Sequence, residues 1–308
     1  MRVIYMGTPD FAVEALNSIA EAGHEILAVY TQPDKAKGRS GKLQPPPVKA
    51  RALELGLPVY QPEKLRVTEE VERIRELSPE IIVVAAYGQI LPESILEIPP
   101  YGCINIHASL LPKYRGAAPI ERSILEGEAY TGVTTMYMAK GLDTGDMIQQ
   151  TRTEILSTDT GEELTARLAA LGGELILSTM QQLEDGTAVR TPQNEAEATY
   201  AHKLDKSMGQ MDFTKPAEEL ERAIRALYPW PCCYTTIAGH GAKILGAEVT
   251  EQSGTPGEIL EVTKKYFTVA CGTGALRIRK LQPEGKKPMD CPAFLNGNRL
   301  EAGGCVGE

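Results

Sequence analysis

Short apolar runs alternate with helix-like patterns through the first half of this 308-residue chain. Runs typical of buried strands occupy residues 3–6, 26–30, 81–86, 103–106 and 134–138. Between some of them apolar residues recur at helical spacing, as at Val67, Val71, Ile74 and Leu77. Such alternation is typical of an α/β domain with a doubly wound, mostly parallel sheet. We expect its active site at the carboxyl ends of the strands.

The pattern changes after a long predicted helix at residues 162–183, at whose start Asp159 and Glu162 fit a capping box. Residues 185–194 then turn polar and indicate a domain exit. Beyond a helix at about residues 217–227, short strand-like runs are separated by glycines, which favours a smaller antiparallel, OB-like β-barrel. We predict a catalytic domain at 1–188, a linker at 189–207 and a barrel domain at 208–308.

Composition excludes several classes of protein. The hydrophobic fraction of 42% and the charged fraction of 24% are those of an ordinary globular protein. The net charge of −9 argues against a surface coated with nucleic acid, so any basic patch must be local. The six cysteines form no C-x-x-C pair, and we expect neither a zinc site nor disulfides. No run reads as a signal peptide or a membrane span, which predicts a cytoplasmic protein.

Three polar residues are candidates for chemistry. Asn105 and His107 are two apart at the end of the run at 103–106, so their side chains point to one face of a strand. Asp143 lies in a glycine-flanked acidic turn at 141–146 and is expected at another strand end. A histidine at a strand end is more often structural, and Asp beside Gly often only shapes a turn. These local patterns leave both readings open.

A loop rich in glycine and proline, residues 33–49, follows the second strand run. It carries five basic residues and one acidic residue at the predicted active edge, where it can close over a polyanion. A solvated flexible loop fits the same composition. The first turn, by contrast, offers no G-x-G-x-x-G, which disfavours a nicotinamide-dependent dehydrogenase.

Several phrases along the chain are similar to those of one known family. They are MGTPDFA at 6–12, Gly38-Arg39, AYGQILP at 86–92, NIHASLLP at 105–112, RGAAP at 115–119, GLDTGD at 141–146, and the stretches at 199–201, 224–226, 229–231 and 285–287. Through them the chain closely resembles the methionyl-tRNA formyltransferases over nearly its whole length. In one departure, Cys232 and Cys233 follow Pro-Trp-Pro where a small residue such as Gly is more usual.

The resemblance implies a metal-free enzyme with Asn105, His107 and Asp143 at its reaction centre. It implies 10-formyltetrahydrofolate as formyl donor and the α-amino group of methionyl initiator tRNA as acceptor, in translation initiation. The implied folate-binding residues are Gln89, Ile90, Leu91, Ser109, Leu110, Leu111 and Pro112. The implied tRNA-binding residues are Lys35, Lys37, Arg39 and Lys42. The barrel domain is expected to contact the tRNA as well, with no membrane and no obligate protein partner.

The three polar residues can divide the work of formyl transfer. Asn105 can donate a hydrogen bond to the developing oxyanion, and His107 can add a second one if protonated. Asp143 can fix the imidazole ring and accept the amine proton directly or through water. One rival is a related formyltransferase acting on a small amine or an amino sugar nucleotide, against which the basic loop and the second domain argue. Another is a non-catalytic folate- or RNA-binding protein, which has no need of all three residues.

Overall fold

The fold is that of a computed structural model, which describes residues 1–36 and 41–307. Its elements up to residue 201 are, in chain order, β1 (Arg2–Gly7), α1 (Val13–Glu21), β2 (Glu25–Tyr30), β3 (Lys35–Ala36), β4 (Leu43–Gln44), α2 (Pro47–Glu54), β5 (Val59–Tyr60), α3 (Thr68–Leu77), β6 (Ile81–Ala85), α4 (Glu93–Leu96), β7 (Cys103–His107), β8 (Arg115–Gly116), α5 (Pro119–Leu125), β9 (Tyr130–Tyr137), β10 (Met147–Glu154), α6 (Gly161–Glu184) and β11 (Tyr200–Ala201).

The later elements are mostly strands. In chain order they are α7 (Ala217–Ala226), β12 (Cys233–Ile237), β13 (His240–Thr250), β14 (Ile259–Val262), β15 (Phe267–Ala270), β16 (Ala275–Pro283), β17 (Met289–Asp290) and α8 (Cys291–Gly297). Short 3-10 helices at Asp10–Ala12, Glu195–Glu197 and Lys206–Gly209 complete the set in the described ranges.

The chain divides into two compact units. The first comprises Met1–Pro119, Tyr130–Glu154 and Thr165–Ala201, and the second comprises Ile120–Ala129, Ile155–Leu164 and His202–Glu308. The boundaries predicted at residues 188 and 208 stay predictions. None of the helices in residues 1–36 and 41–307 is both long enough and apolar enough to span a membrane.

A mostly parallel sheet forms the first unit, with strand order β10-β9-β7-β6-β1-β2-β5. Neighbouring strands in the series β5, β2, β1, β6 and β7 pair in parallel. The strands β9 and β10 extend the sheet beyond β7 and pair antiparallel. Parallel strands buried on both faces need continuous apolar runs, and β1, β6 and β7 are buried almost throughout. The predicted doubly wound α/β domain is confirmed.

The two faces of β7 have different neighbours. Ile106 packs towards α6, where a Cβ added to Gly172 would lie 3.0 Å from the isoleucine Cγ2 atom. On the other face, Cys103 joins the core cluster that includes Ile74 of α3 and Ile95 of α4. Because side chains alternate along a strand, Asn105 and His107 lie on the same face as Cys103.

The start of α6 corrects one local prediction. The capping box is formed by Thr160 and Glu163 rather than by Asp159 and Glu162. The Thr160 backbone N–H donates to the Glu163 carboxylate at 2.9 Å, and the Glu163 backbone N–H donates to the Thr160 hydroxyl at 3.2 Å. Asp159 instead accepts from the backbone N–H of Leu156. The helix begins at Gly161, so Thr160 is its N-cap residue and Glu163 is the third residue of its first turn.

The second unit contains an antiparallel sheet with strand order β12-β13-β16-β15-β14, with β17 paired to β16. Near the C-terminus, Val306 bridges to Ile237 of β12 and Cys305 bridges to Glu258 beside β14. This segment joins the two edge strands, so the sheet closes into a barrel. The predicted smaller antiparallel barrel is confirmed.

Candidate active site

Asn105 and His107 lie side by side on one face of β7, as their spacing predicts. Both are buried, with 8% and 6% of their surfaces exposed. Within the described residues, no protein group hydrogen-bonds the Asn105 amide. Its amide atoms are not among the fully buried unpartnered ones of the described residues, so they reach the solvent and can bind a group that comes from outside the chain.

The His107 ring is held by a backbone carbonyl. Its Nε2 atom lies 2.9 Å from the carbonyl oxygen of Tyr114. A carbonyl oxygen only accepts, so Nε2 carries a hydrogen and the ring orientation is fixed. The other nitrogen, Nδ1, lies 3.7 Å from Oδ2 of Asp143. That distance is too long for a direct hydrogen bond, and an amine or a water that lies to one side of the pair can contact both groups.

Asp143 lies in the loop between β9 and β10, and the prediction that it sits at a strand end is wrong. Its backbone is left-handed, with φ of 51°, a conformation that Asp tolerates better than most residues. Its Oδ2 atom accepts a hydrogen bond from the Gly116 backbone N–H at 2.8 Å. The loop is tightly packed: a Cβ added to Gly145 would lie 1.7 Å from the Tyr137 carbonyl oxygen. This packing brings the carboxylate to His107.

The first segment implied for folate follows β6, at the carboxyl edge of the sheet. Ile90 is 88% exposed, whereas Leu91 is buried. The Gln89 side chain is occupied within the protein, because its Oε1 accepts from the Leu65 N–H and its Nε2 donates to the Pro62 carbonyl. The backbone of this loop and the Ile90 side chain are therefore the parts that can face a ligand.

The second implied segment, residues 109–112, follows β7 directly. The Ser109 hydroxyl donates to the Lys113 carbonyl at 2.6 Å, and Leu111 is buried with a cis peptide bond to Pro112. The Thr134 hydroxyl donates to the Ser109 carbonyl at 2.7 Å. Leu110 is partly exposed beside them. These bonds hold the segment rigidly next to the loop after β6.

Within the basic loop β3 and β4 pair in antiparallel fashion, with Lys35 opposite Gln44, and we call these two strands and Lys42 the hairpin. Lys35 and Lys42 are exposed. At its base Lys49 donates to both carboxylate oxygens of Asp34, at 2.8 and 2.9 Å, and this contact lowers the pKa of Asp34. The single acidic residue is thereby neutralised. The predicted tRNA-binding residues Lys37 and Arg39 lie outside the described residues.

A cavity elsewhere on β7 is separate from the cluster of Asn105, His107 and Asp143. A cavity of about 410 Å³ lies at the opposite end of β7, lined by Tyr101, Gly102 and Tyr137 among others. Across residues 1–36 and 41–307, no three His, Cys, Asp or Glu side chains are grouped so that they could hold a metal ion.

Sequence patterns did not indicate the residues whose hydrogen bonds support the backbone next to His107 and Asp143. Arg115 is fully buried, and its guanidinium donates to both carboxylate oxygens of Glu195, at 2.9 and 2.7 Å. Its Nε donates to Oε1 of Gln193 at 3.0 Å. The Thr199 hydroxyl accepts from the Tyr114 N–H. The sequence stretches that contain Arg115 and Thr199 are among those that resemble the family. No sequence pattern indicated a role for Gln193 or Glu195.

The pair between Arg115 and Glu195 predicts a pH-dependent contribution to stability. The guanidinium lowers the pKa of Glu195, so the stabilisation is complete above the unfolded value of about 4.3 and is lost as the pH falls through the lower folded value. We expect Glu195→Gln to lower the melting temperature at pH 7 and to have a smaller effect below pH 4. Thermal unfolding at both pH values measures this, and an equal shift at both would contradict it.

Solved structures show the same fold in distant proteins. The N-formyltransferase of Helicobacter canadensis, in complex with folinic acid and dTDP-3-aminofucose, matches with a TM-score of 0.68 at 22% identity, over 90% of this chain and 98% of that one. HypX of Aquifex aeolicus in complex with tetrahydrofolic acid matches with a TM-score of 0.67 at 16% identity, over 96% of this chain and 47% of that one.

Sequence comparisons are more specific. Residues 1–180 match the formyl transferase family model, and residues 203–299 match the model of the formyl transferase C-terminal domain. Methionyl-tRNA formyltransferase of Alkaliphilus metalliredigens is 52% identical over 100% of this chain and 99% of its own length. That of Lachnospira eligens is 49% identical over the whole of both chains. The chain therefore belongs to the methionyl-tRNA formyltransferase family.

Proposed function

We propose that Asn105, His107 and Asp143 carry the transfer of a formyl group from 10-formyltetrahydrofolate to the α-amino group of methionine on initiator tRNA. The observation that carries this proposal is the gap of 3.7 Å between His107 Nδ1 and Asp143 Oδ2, on the strand face where the Asn105 amide has no partner among the described residues. A neutral donor, an imidazole and a carboxylate are what acyl transfer to an amine requires.

The reaction forms a bond between the amine nitrogen and the formyl carbon, and breaks the bond from that carbon to the folate nitrogen. Asn105 donates a hydrogen bond to the formyl oxygen as negative charge develops on it. Asp143 accepts the proton that the attacking amine loses, directly or through a water. In its protonated form His107, whose Nε2–H is bound to the Tyr114 carbonyl, also carries a proton on Nδ1 and can pass it to the leaving nitrogen. The proton that Asp143 has taken from the amine then restores the one that His107 has lost.

The folate donor fits the edge formed by the loops after β6 and β7. Ile90 is 88% exposed in the loop after β6, the strand next to the one that carries Asn105 and His107, and its apolar side chain can pack against a ring of the donor. The backbone of residues 89–91 offers N–H and C=O groups to a pteridine-like ring, while the fixed segment 109–112 gives the opposite wall a defined shape. We propose these residues as the donor pocket.

We assign methionyl initiator tRNA as the acceptor from the distribution of charge along the chain and from the family to which the chain belongs. Residues 201–308 carry 14 Lys and Arg against 13 Asp and Glu, a balance of +1, so the acidic excess lies in the first 200 residues. Within that acidic part, the hairpin of β3 and β4 is basic, because Lys35 and Lys42 are exposed and Asp34 is paired with Lys49. A local basic element at the same carboxyl edge of the sheet as the reaction centre is suited to hold a phosphate backbone.

Formyl transfer by the purified chain tests the proposal directly. With 10-formyltetrahydrofolate as donor, we expect formylated product on charged initiator tRNA and none on the same tRNA without methionine. Charged elongator methionine tRNA and a dTDP-linked amino sugar serve as competing acceptors. Equal or better turnover of the amino sugar, or no product on charged initiator tRNA, would contradict the assignment.

The hairpin lysines give a second prediction. We expect Lys35→Ala and Lys42→Ala each to raise KM for the charged tRNA severalfold, because each removes a phosphate contact, and to leave the KM for the folate donor unchanged. The dependence of log KM on log salt concentration should weaken by about one unit of slope per lost contact. Steady-state kinetics over a series of salt concentrations measures both effects.

Arg75→Ala is the matched control for the hairpin. Arg75 is an exposed cation near the end of α3, at the amino edge of the sheet. Its removal changes the net charge by the same amount, and we expect no change in the salt slope. If all three variants behave alike, the hairpin has no special role in tRNA binding.

A further inference from the structure

The backbone of the loop that carries Asp143 is held by the side chain of Gln193, which comes from a distant segment. Nε2 of Gln193 donates to the carbonyl oxygens of Asp143 and Gly145, at 2.7 and 2.8 Å. Both N–H groups of one amide nitrogen are used, one for each carbonyl. Since the two carbonyls flank the turn, their position fixes the backbone from which the Asp143 carboxylate extends.

The side chain of Gln193 is itself held by Arg115. Its Oε1 accepts from Nε of Arg115 at 3.0 Å, and the rest of that guanidinium is held by Glu195. Arg115 is fully buried, so its geometry allows little freedom, and a buried charge of this kind must keep its partners. A primary amide is the side chain that can accept from Arg115 while it donates twice to the loop.

The same segment also supports His107. The Thr199 hydroxyl accepts from the N–H of Tyr114, and its carbonyl oxygen accepts from the N–H of Arg115. The carbonyl of Tyr114 in turn holds Nε2 of His107. The residues from 193 to 199, expected from sequence only as a linker, therefore contact the backbone behind both ionisable groups of the site.

We propose that Gln193 is a positioning residue that sets the distance between Asp143 and His107. This rests on the proposed function of Asp143 in formyl transfer. Removing the two donated hydrogen bonds frees the loop, and the carboxylate then spends less time in the reactive position. A displacement of about 1 Å in a reacting group can cost on the order of 100-fold in rate.

Gln193→Glu removes the two donated bonds, because the carboxylate still accepts from Arg115 but has no N–H. We expect kcat to fall about 10- to 100-fold with little change in either KM. Gln193→Met provides a second variant of similar length without added charge. Gln181→Glu is the matched control, since Gln181 is exposed on α6 and its side chain donates a hydrogen bond to Asp185; its kcat should stay at the wild-type value.

A double-mutant cycle separates positioning from general support. If Gln193 acts through Asp143, Gln193→Glu should cost about 10- to 100-fold in kcat in the wild type and less than about threefold in an Asp143→Asn background. Equal costs in both backgrounds, or no cost in the wild type, would overturn the positioning role. If Asp143→Asn alone leaves kcat unchanged, it is the proposed function of Asp143 that fails instead.

Discussion

Asn105→Ala should lower kcat for formyl transfer about 100-fold or more while the protein stays folded. Removing one preorganised donor from an oxyanion site ordinarily costs this much, because the bond is stronger in the transition state than in the ground state. The fold should tolerate the change, since the Asn105 amide makes no hydrogen bond to the described part of the chain. Single-turnover rates at saturating substrates, with a melting curve for each variant, measure both quantities.

Two variants sharpen this result. Asn105→Asp keeps the size of the side chain but replaces the donor with an acceptor, so kcat should fall at least as far as in Asn105→Ala. Asn17→Ala is the control: Asn17 is on α1, where its Oδ1 accepts from Arg51, and its loss should leave kcat unchanged. A turnover of Asn105→Ala close to wild type would exclude Asn105 as the oxyanion donor.

Local patterns were enough to predict most of the sheet. The runs that became β1, β6 and β7 are continuously apolar because parallel strands are covered on both faces, and this signal is contained in each run itself. By contrast, β10 alternates between partly buried and exposed residues along much of its length, and only its first two residues stood out as apolar. As an antiparallel edge strand it has a weaker local signal.

The site was predictable only in part, for a related reason. The spacing of Asn105 and His107 fixes their shared face, since alternation along a strand is a local property. The contact with Asp143 depends on how the loop between β9 and β10 folds back. That fold depends on Gln193, which lies 50 residues further along the chain. A contact of such separation leaves no periodic signal, so the support from residues 193–199 could not be seen before the structure.

Asp143→Asn should lower kcat about 100-fold or more with little change in either KM, because the variant removes the base but keeps the shape. Asn tolerates the left-handed backbone at this position, and its side-chain oxygen can still accept from the Gly116 N–H. Asp143→Ala removes that acceptor as well and places a less tolerant residue at φ of 51°, so it should lower both kcat and the melting temperature.

Asp146→Asn, in the same loop but paired with Arg190, is the control and should keep wild-type turnover. If Asp143→Asn turns over normally while Asp143→Ala does not, the residue supports the loop and takes no proton, and the base must be sought at His107 or in the substrates.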